Sequence, residues 1–343
     1  MARRSTLADV AREAGLSVST VDRVLNGREK VREDTASRVY SAATKVGYHA
    51  AGLIKDRALV SAPEMRFGFL LLKRNQEFYQ RFEQALRTAV LECTKVRGIV
   101  DICFADSQDP GEHAELLTRL GSRAHAVAAT AVNHHQVTTA VQDLRQRGIP
   151  VFSLLNDFAQ GVRQGYIGLN NLKIGRIAAW TLLNCGSDAR KVAIFVGGSR
   201  WHGHELRETG FRSFFREHAP ETQILETLVN LETRQVTYEA TVDLLKRHND
   251  LSGIFIAGGG MEGAIQALRE LRAPGQVCTV FNERTDVSTL ALQQGYATLI
   301  NATPLEALCT ELLDWMMQSL EDAQAARTGQ HFLQPDLYVP ESL

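Results

Sequence analysis

From about residue 66 onward, short apolar runs alternate with amphipathic stretches, and few architectures accept that rhythm. "RFGFLLL" (66–72), "IVDICFA" (99–105), "AHAVAAT" (124–130) and "IPVFSLL" (149–155) read as strands buried on both faces. Residues 76–94, 111–121 and 135–147, which separate them, carry apolar residues at helical spacing. The pattern restarts with "KVAIFVGG" (191–198), "ILETLVN" (224–230), "GIFIAGG" (253–259) and "VCTVFNE" (277–283). Alternation of this kind implies parallel sheets joined by right-handed crossovers, and its restart implies two doubly wound subdomains. Ligands of such sheets sit beyond the carboxyl ends of the strands, so two facing sheets would enclose a cleft.

At 343 residues the chain exceeds what one hydrophobic core organises, so the first 65 residues are expected to be separate from this α/β body. Their charge differs as well. Residues 1–60 hold 11 Lys and Arg against 7 Asp and Glu, while the whole chain has a net charge of −1. A basic head on a mildly acidic body suits a nucleic-acid partner. No apolar run reaches the ~18 residues of a membrane span. The start, "MARRSTLADV", lacks the apolar core of a secretory signal. Cys93, Cys103, Cys185, Cys278 and Cys309 are scattered and form no CxxC pair, as expected for reduced thiols in the cytoplasm, with no disulfide framework.

Within the head, Leu7, Val10, Ala11 and Ala14 recur at helical spacing, with Thr6 placed to cap and Asp9 in capping-box register. Gly15 stops that helix. Ser17 caps a second one, in which Val18, Val21, Val24 and Leu25 continue the apolar spacing until Asn26-Gly27. A third helix is expected over 33–46, with Ala36, Val39, Tyr40, Ala43 and Val46 inward. Two short helices joined by a tight glycine turn are a helix-turn-helix arrangement. Its apolar positions leave Val18, Ser19, Asp22 and Arg23 exposed near the start of the second helix, within reach of base edges.

The segment "TLADVAREAGLSVSTVDRVLNGREKVREDTASRVYSAATKVGYHA" (6–50) resembles, without a gap, the head of the LacI/GalR family of bacterial transcription regulators. The resemblance implies that Val18, Ser19 and Arg23 read bases and that Thr20 and Asn26 contact phosphates. The full DNA-facing set expected is Thr6, Ser17, Val18, Ser19, Thr20, Asp22, Arg23 and Asn26, with Lys55 and Arg57 in the connector. Asp22 departs from the serine common in the family. An acid beside phosphates lowers affinity unless it accepts from a cytosine amine or restrains Arg23. The connector departs further. Members carry roughly Pro-Asn-x-x-Ala-Arg-x-Leu, whose leucine wedges into the minor groove, whereas "AAGLIKDR" (50–57) has Ile54 for the alanine, Lys55 for the arginine and Arg57 for the leucine. Arginine does not unstack a base step as an apolar wedge does. Leu53 or Ile54 in a shifted register is the alternative wedge.

Residues 66–343 resemble the periplasmic-sugar-binding-protein-like sensor of the same family, with "YIGLNNLKIGRIAAWTLL" (166–183) and "RETGFRSFF" (207–215) as landmarks. The expected organisation is an all-α helix-turn-helix head (1–50), a hinge (51–65) and a two-lobed α/β body (66–343). Crossings near 158–164, 283–290 and 325–332 would give an N-lobe of about 66–160 and 286–327 and a C-lobe of about 161–285 and 328–343. Expected ligand residues sit at strand ends: Asn156 and Asp157 after "VFSLL", Asn282 and Glu283 after "VCTVF", Arg207 before "TGF", and Trp201 against an apolar sugar face. Members often carry Asn-Asp where this chain has Gly258-Gly259-Gly260, and a glutamine where "INATP" offers Asn301 or Ala302. That predicts fewer long polar groups from this lobe.

The reading is a cytoplasmic, nucleoid-associated repressor, homodimeric on a near-palindromic operator, with a sugar, polyol or derivative as effector and no cofactor, metal or membrane partner. Alternatives are a carbohydrate-acting enzyme, for which Asp157 and Glu283 are the pair available, or a sugar-binding module with a DNA-localising head. His202, His204, His134 and His135 lack the spacing of a zinc set and are expected as rim or solvent histidines, the first two in a loop. "VGGSR" (196–200) and "AGGGMEG" (257–263) lack the endings of phosphate or dinucleotide loops.

Overall fold

The computed structural model describes residues 5–26, 31, 33–52, 62–186, 190–321 and 328–343. Lys55 and Arg57, with the connector's Leu53 and Ile54, lie outside the described residues, as does Gly27.

The head consists of α1 (Leu7–Ala14), α2 (Val18–Asn26) and α3 (Glu33–Lys45). Thr6 and Asp9 form the capping box reciprocally: Asp9 Oδ2 accepts from Thr6 N at 2.9 Å, and Thr6 Oγ1 accepts from Asp9 N at 3.4 Å. Gly15 ends α1 in the left-handed region, with φ 65°. Ser17 Oγ accepts from Thr20 N at 3.2 Å and so supplies the expected start of α2. Val10, Ala11, Ala14, Val21, Val24, Ala36, Val39, Ala42 and Ala43 form the head's core.

The body runs β1 (Glu64–Leu72), α4 (Glu77–Glu92), β2 (Arg97–Ala105), α5 (Pro110–Gly121), β3 (Ala126–Ala129), α6 (His135–Gln146), β4 (Val151–Leu154) and β5 (Gly165–Leu169). It continues with α7 (Asn171–Cys185), β6 (Lys191–Val196), α8 (His202–His218), β7 (Gln223–Ile224), β8 (Leu228–Val229), α9 (Arg234–Arg247), β9 (Gly253–Ile256) and α10 (Met261–Leu271). Last come β10 (Cys278–Asn282), α11 (Asp286–Gln293), β11 (Leu299–Ala302), α12 (Leu305–Glu321), β12 (Gly329–Leu333) and β13 (Asp336–Tyr338).

Two sheets result, one of order β12-β5-β4-β3-β1-β2 and one of order β13-β11-β10-β9-β6-β7 with β8 also on β6. The ladders β3–β4, β4–β5, β6–β9 and β9–β10 are parallel, as continuous apolar runs require, and β11–β13 is antiparallel. In the second lobe Phe195, Ile254, Ile256, Phe281 and Ile300 from the strands pack with Leu244, Ile265 and Leu268 from the helices. Burial of each such side chain contributes ~1.5–3 kcal/mol.

The chain crosses between lobes at different places from those expected. β5 pairs with β4 (Phe152↔Gly165) and β12 (Gly329↔Gly165), so "YIGL" completes the first sheet. The first crossing therefore falls between β5 and α7, at 169–171, and not at 158–164. β11 pairs with β10 (Val280↔Leu299), so the return comes at 302–305 and not at 283–290. The third lies between β12 and β13, at 333–336 and not at 325–332. Hydrogen-bonding neighbours decide which sheet a strand joins, and an apolar run carries no record of its neighbours.

Candidate functional site

A cavity of about 100 Å³ opens where the carboxyl ends of the two sheets converge. Its first-lobe wall is Gln76–Tyr79 at the start of α4, Thr130 after β3, and Leu155 and Asn156 after β4. Its second-lobe wall is Trp201, Gly203, His204 and Arg207 of the α8 segment, Glu232 after β8, Gly258–Glu262 after β9, and Asn282, Glu283 and Thr285 after β10. Five of the six residues expected from strand ends thus line one space: Asn156, Trp201, Arg207, Asn282 and Glu283.

Asp157 does not line it. One residue beyond Asn156, its carboxylate is 3% exposed and taken up by Arg163 (Nε 2.5 Å, Nη2 2.8 Å), Ser153 Oγ (3.0 Å), Gln160 Nε2 (3.1 Å) and Gln330 Nε2 of β12 (2.8 Å). Burial works to raise its pKa, but the bonds from Arg163 and Gln330 outweigh burial and hold the carboxyl below its ordinary range. The pair Asp157–Glu283, on which the enzyme alternative depended, is not assembled. The cluster ties the turn after β4 to β12.

The lining residues differ in what they leave available. Asn156 is a strut between the lobes: its Nδ2 donates to Ala131 O at 2.7 Å and its Oδ1 accepts from Gly203 N at 2.9 Å. Arg207 commits Nε to Asn171 Oδ1 (2.7 Å) and Nη1 to Ala257 O (2.6 Å). Glu283 sits at φ 69°, its carboxylate accepting from Thr303 N (2.9 Å) and Thr303 Oγ1 (2.7 Å), and burial raises its pKa. Asn282 donates Nδ2 to Ile256 O at 2.7 Å, while its Oδ1 is buried without a partner. Trp201 Nε1 and Thr130 Oγ1 are likewise buried and unpaired. Asn301, the register partner of Asn282 on β11, is fully buried with both amide atoms unpaired, although it does not line the cavity.

His204 and Glu232 are among the wall residues that the sequence reading did not select, as are Thr130, Glu77 and Glu262. His202 and His204 open α8 and do not sit in a loop, and His204 is a wall residue instead of a rim residue. His204 Nδ1 accepts from Gly197 N at 3.0 Å, and burial pushes its pKa down to about 4, so the ring is neutral at pH 7 with its proton on Nε2. That nitrogen lies 3.6 Å from Glu232 Oε1. Glu232 also accepts from Gly259 N (3.2 Å) and pairs with Lys73 of the first lobe, whose Nζ is 3.0 Å from Glu232 O and 3.4 Å from Oε2. Burial alone would raise this carboxyl, but His204 and Lys73 hold it low.

The triple glycine now has a physical reason. A Cβ on Gly258 would stand 2.5 Å from His204 Cε1 and 2.9 Å from Glu232 Oε1. The space that a longer side chain would fill is occupied by those two residues, so this lobe does send polar groups to the cavity, from other segments. Glu232 follows no recognisable motif. His204 was visible only as one of several histidines.

On the head, Val18 is 48% exposed, and Ser17, Ser19, Arg23 and Asn26 are exposed with it. Thr20 and Asp22 are half-buried, and Thr6 is exposed at the cap of α1. Ser17 Oγ lies 2.9 Å from Ser19 Oγ and 2.8 Å from Thr20 Oγ1. Asp22 Oδ1 accepts from Asn26 Nδ2 at 2.7 Å, one turn further along. Among the described residues no cluster of His, Cys, Asp or Glu could hold a metal ion, and no helix is long and apolar enough to cross a membrane.

A helix-turn-helix head followed by two parallel-sheet lobes that share a cavity defines a ligand-sensing DNA-binding regulator. The profile of the periplasmic binding protein domain matches residues 67–319, and that of the bacterial regulatory proteins of the lacI family matches residues 6–50. The chain belongs to the LacI/GalR family of bacterial transcription regulators. It is 26% identical over 354 residues to an HTH-type transcriptional regulator of the aml 5' region of Streptomyces limosus, covering 97% of this chain and 93% of that one. It is 24% identical over 266 residues to the HTH-type transcriptional regulator GalS of Salmonella typhimurium strain LT2 (77% and 75%). A solved ABC transporter solute binding protein from Burkholderia graminis C4D1M, in complex with D-arabinose, shares the fold at 17% identity, with a TM-score of 0.74 over 83% of this chain and 98% of that one.

Proposed function

We propose that this regulator is a repressor that binds a near-palindromic operator as a homodimer, and that a sugar, polyol or derivative held in the cavity sets its operator affinity. The observation that carries the ligand reading is that three residues of the cavity wall each keep a buried, unpaired polar atom: Trp201 Nε1, Asn282 Oδ1 and Thr130 Oγ1, all on residues no more than 3% exposed. Polar atoms buried in this way call for partners. A hydroxyl both donates and accepts, so one polyhydroxylated ligand can serve the indole N–H, the amide oxygen and the threonine together. Trp201 adds an apolar ring. Lys73–Glu232 and Asn156–Gly203 join the lobes beside the same cavity, so a ligand that prefers one lobe arrangement shifts the balance between arrangements. In a dimer joined through both lobes, that shift alters the spacing of the heads against half-sites about one helical turn apart.

The test is selection of genomic fragments by the purified protein at physiological salt, repeated with a panel of sugars and polyols. Enrichment of a two-fold-symmetric site, altered by one compound, is the expected result. Binding that fades uniformly with salt and prefers no sequence would refute it.

A further inference from the structure

The cavity wall carries an electrostatic pattern that narrows the ligand further, and this inference rests on the carbohydrate reading above. Four helices begin at it: Gln76–Tyr79 open α4, Trp201–His204 open α8, Gly260–Glu262 open α10, and Thr285 caps α11. Four helix N-termini around one space are ordinarily an invitation to an anion, because their unpaired N–H groups and dipoles are positive there.

Here that attraction is answered from within the chain. Each of the four helices carries its own acid in the first turn: Glu77, Glu205, Glu262 and Asp286. Three amides that an anion would use are already filled by protein oxygens. Gly203 N donates to Asn156 Oδ1 (2.9 Å), Gly259 N to Glu232 Oε1 (3.2 Å), and Asp286 N to both carboxylate oxygens of Glu77 (3.0 Å each). Four carboxylates line the space (Glu77, Glu232, Glu262 and Glu283) against a single guanidinium. That guanidinium, Arg207, already gives Nε to Asn171 and one Nη1 proton to Ala257. His204 contributes no charge at neutral pH.

We propose that this cavity excludes anions, so that the effector is an uncharged polyhydroxy compound and its phosphate esters and carboxylic acids are refused, with Glu232 and Glu283 as the residues that refuse them. A phosphate or carboxylate on the ligand would lie among these carboxylates, with Arg207 as the one cation among the described residues lining the space. Like charges brought together in a binding site repel and weaken binding. The regulator therefore senses the compound before any phosphoryl transfer or oxidation to an acid, and a kinase acting on the effector would end its signal.

The test measures thermal stabilisation and calorimetric binding of the full-length protein at pH 7.5. The probes are D-arabinose, D-galactose and ribitol, matched with arabinose 5-phosphate, galactose 6-phosphate and galactonate, and ribitol 5-phosphate. At least one neutral compound is expected to bind, with its charged counterpart weaker by about 100-fold. Glu232→Gln and Glu283→Gln are each expected to narrow that ratio to about 10-fold, because glutamine keeps the shape and drops the charge. If a charged probe binds as tightly as its neutral parent, the exclusion is overturned while the carbohydrate reading stands. If neither member of any pair binds, the carbohydrate reading falls and the exclusion falls with it. The wild-type ratio decides the matter even where a variant does not fold.

Discussion

Gly258→Ala isolates the contact on which the second-lobe wall is built. The backbone there lies outside the left-handed region, so alanine brings no torsional penalty, only a methyl group 2.5 Å from His204 Cε1 and 2.9 Å from Glu232 Oε1. Ordinary contact needs about 3.4 Å or more, so the imidazole must retreat by close to an ångström. The ring is anchored by the bond from Gly197 N, and a shift of that size lengthens this bond from 3.0 Å beyond use. Overpacking costs ~1–3 kcal/mol and the lost bond ~1 kcal/mol, giving a loss of about 2–4 kcal/mol. For a domain of this size that lowers Tm by roughly 5–15 °C, readable by scanning calorimetry. The same displacement disturbs Glu232 and its pairing with Lys73, so ligand affinity should fall as well. His204→Ala removes the obstructing ring. The double variant Gly258→Ala/His204→Ala should therefore be more stable than the sum of the two single losses by at least ~1 kcal/mol. A single variant that melts within 1 °C of wild type, or strict additivity in the double, would refute the cradle.

Gly175→Ala places a methyl 1.9 Å from Arg207 O where α7 and α8 touch; backbone cannot step aside as a side chain can, so a loss of ~3 kcal/mol or more and weakened ligand binding are expected by thermal melts and titration. Because burial pushes His204 down to about 4, the unfolded state takes up a proton between pH 6.5 and 4 that the folded state refuses; stability should drop by about 3 kcal/mol as pH falls through that window, and His204→Gln should flatten the slope in urea titrations. His113, buried and also shifted down, adds to the wild-type slope in the same direction and keeps the variant's slope above zero. Asp22→Asn keeps a partner for Asn26 and removes a negative charge from the helix proposed to face DNA; electrophoretic shifts should tighten by about 3-fold on operator and random duplex alike, whereas loss of preference at a single base pair would mean that Asp22 reads a base.

Local signals were legible where the chemistry is local. Thr6, Asp9 and Gly15 are a cap, its reciprocal partner and a stop, and each lies within a few residues of what it acts on. Strand-end residues such as Asn282 and Glu283 could be found because parallel sheets point their carboxyl ends at ligands. What escaped depends on partners distant in sequence. Asp157 looks like a ligand carboxylate until Gln330, 173 residues later, joins Arg163 around it. Glu232 gains its role from Lys73, 159 residues earlier, and from a glycine cradle that only the folded chain assembles. β5 reads like any buried strand, and only its ladders to β4 and β12 assign it to the first lobe.

The third crossing has a consequence for the order in which the molecule comes into being. β12 covers the edge of β5 in one sheet and β13 covers the edge of β11 in the other, and both belong to the stretch 329–338. The head's three helices and their core are synthesised before residue 51. At ~5–20 residues per second, roughly 15–60 s separate that point from the arrival of β12. During this interval a nascent chain can carry the helix-turn-helix head while both sheets of the body still expose a bare strand edge. The two lobes are then finished almost together, by one short stretch of chain, so the capacity to respond to a ligand is acquired late and in a single step.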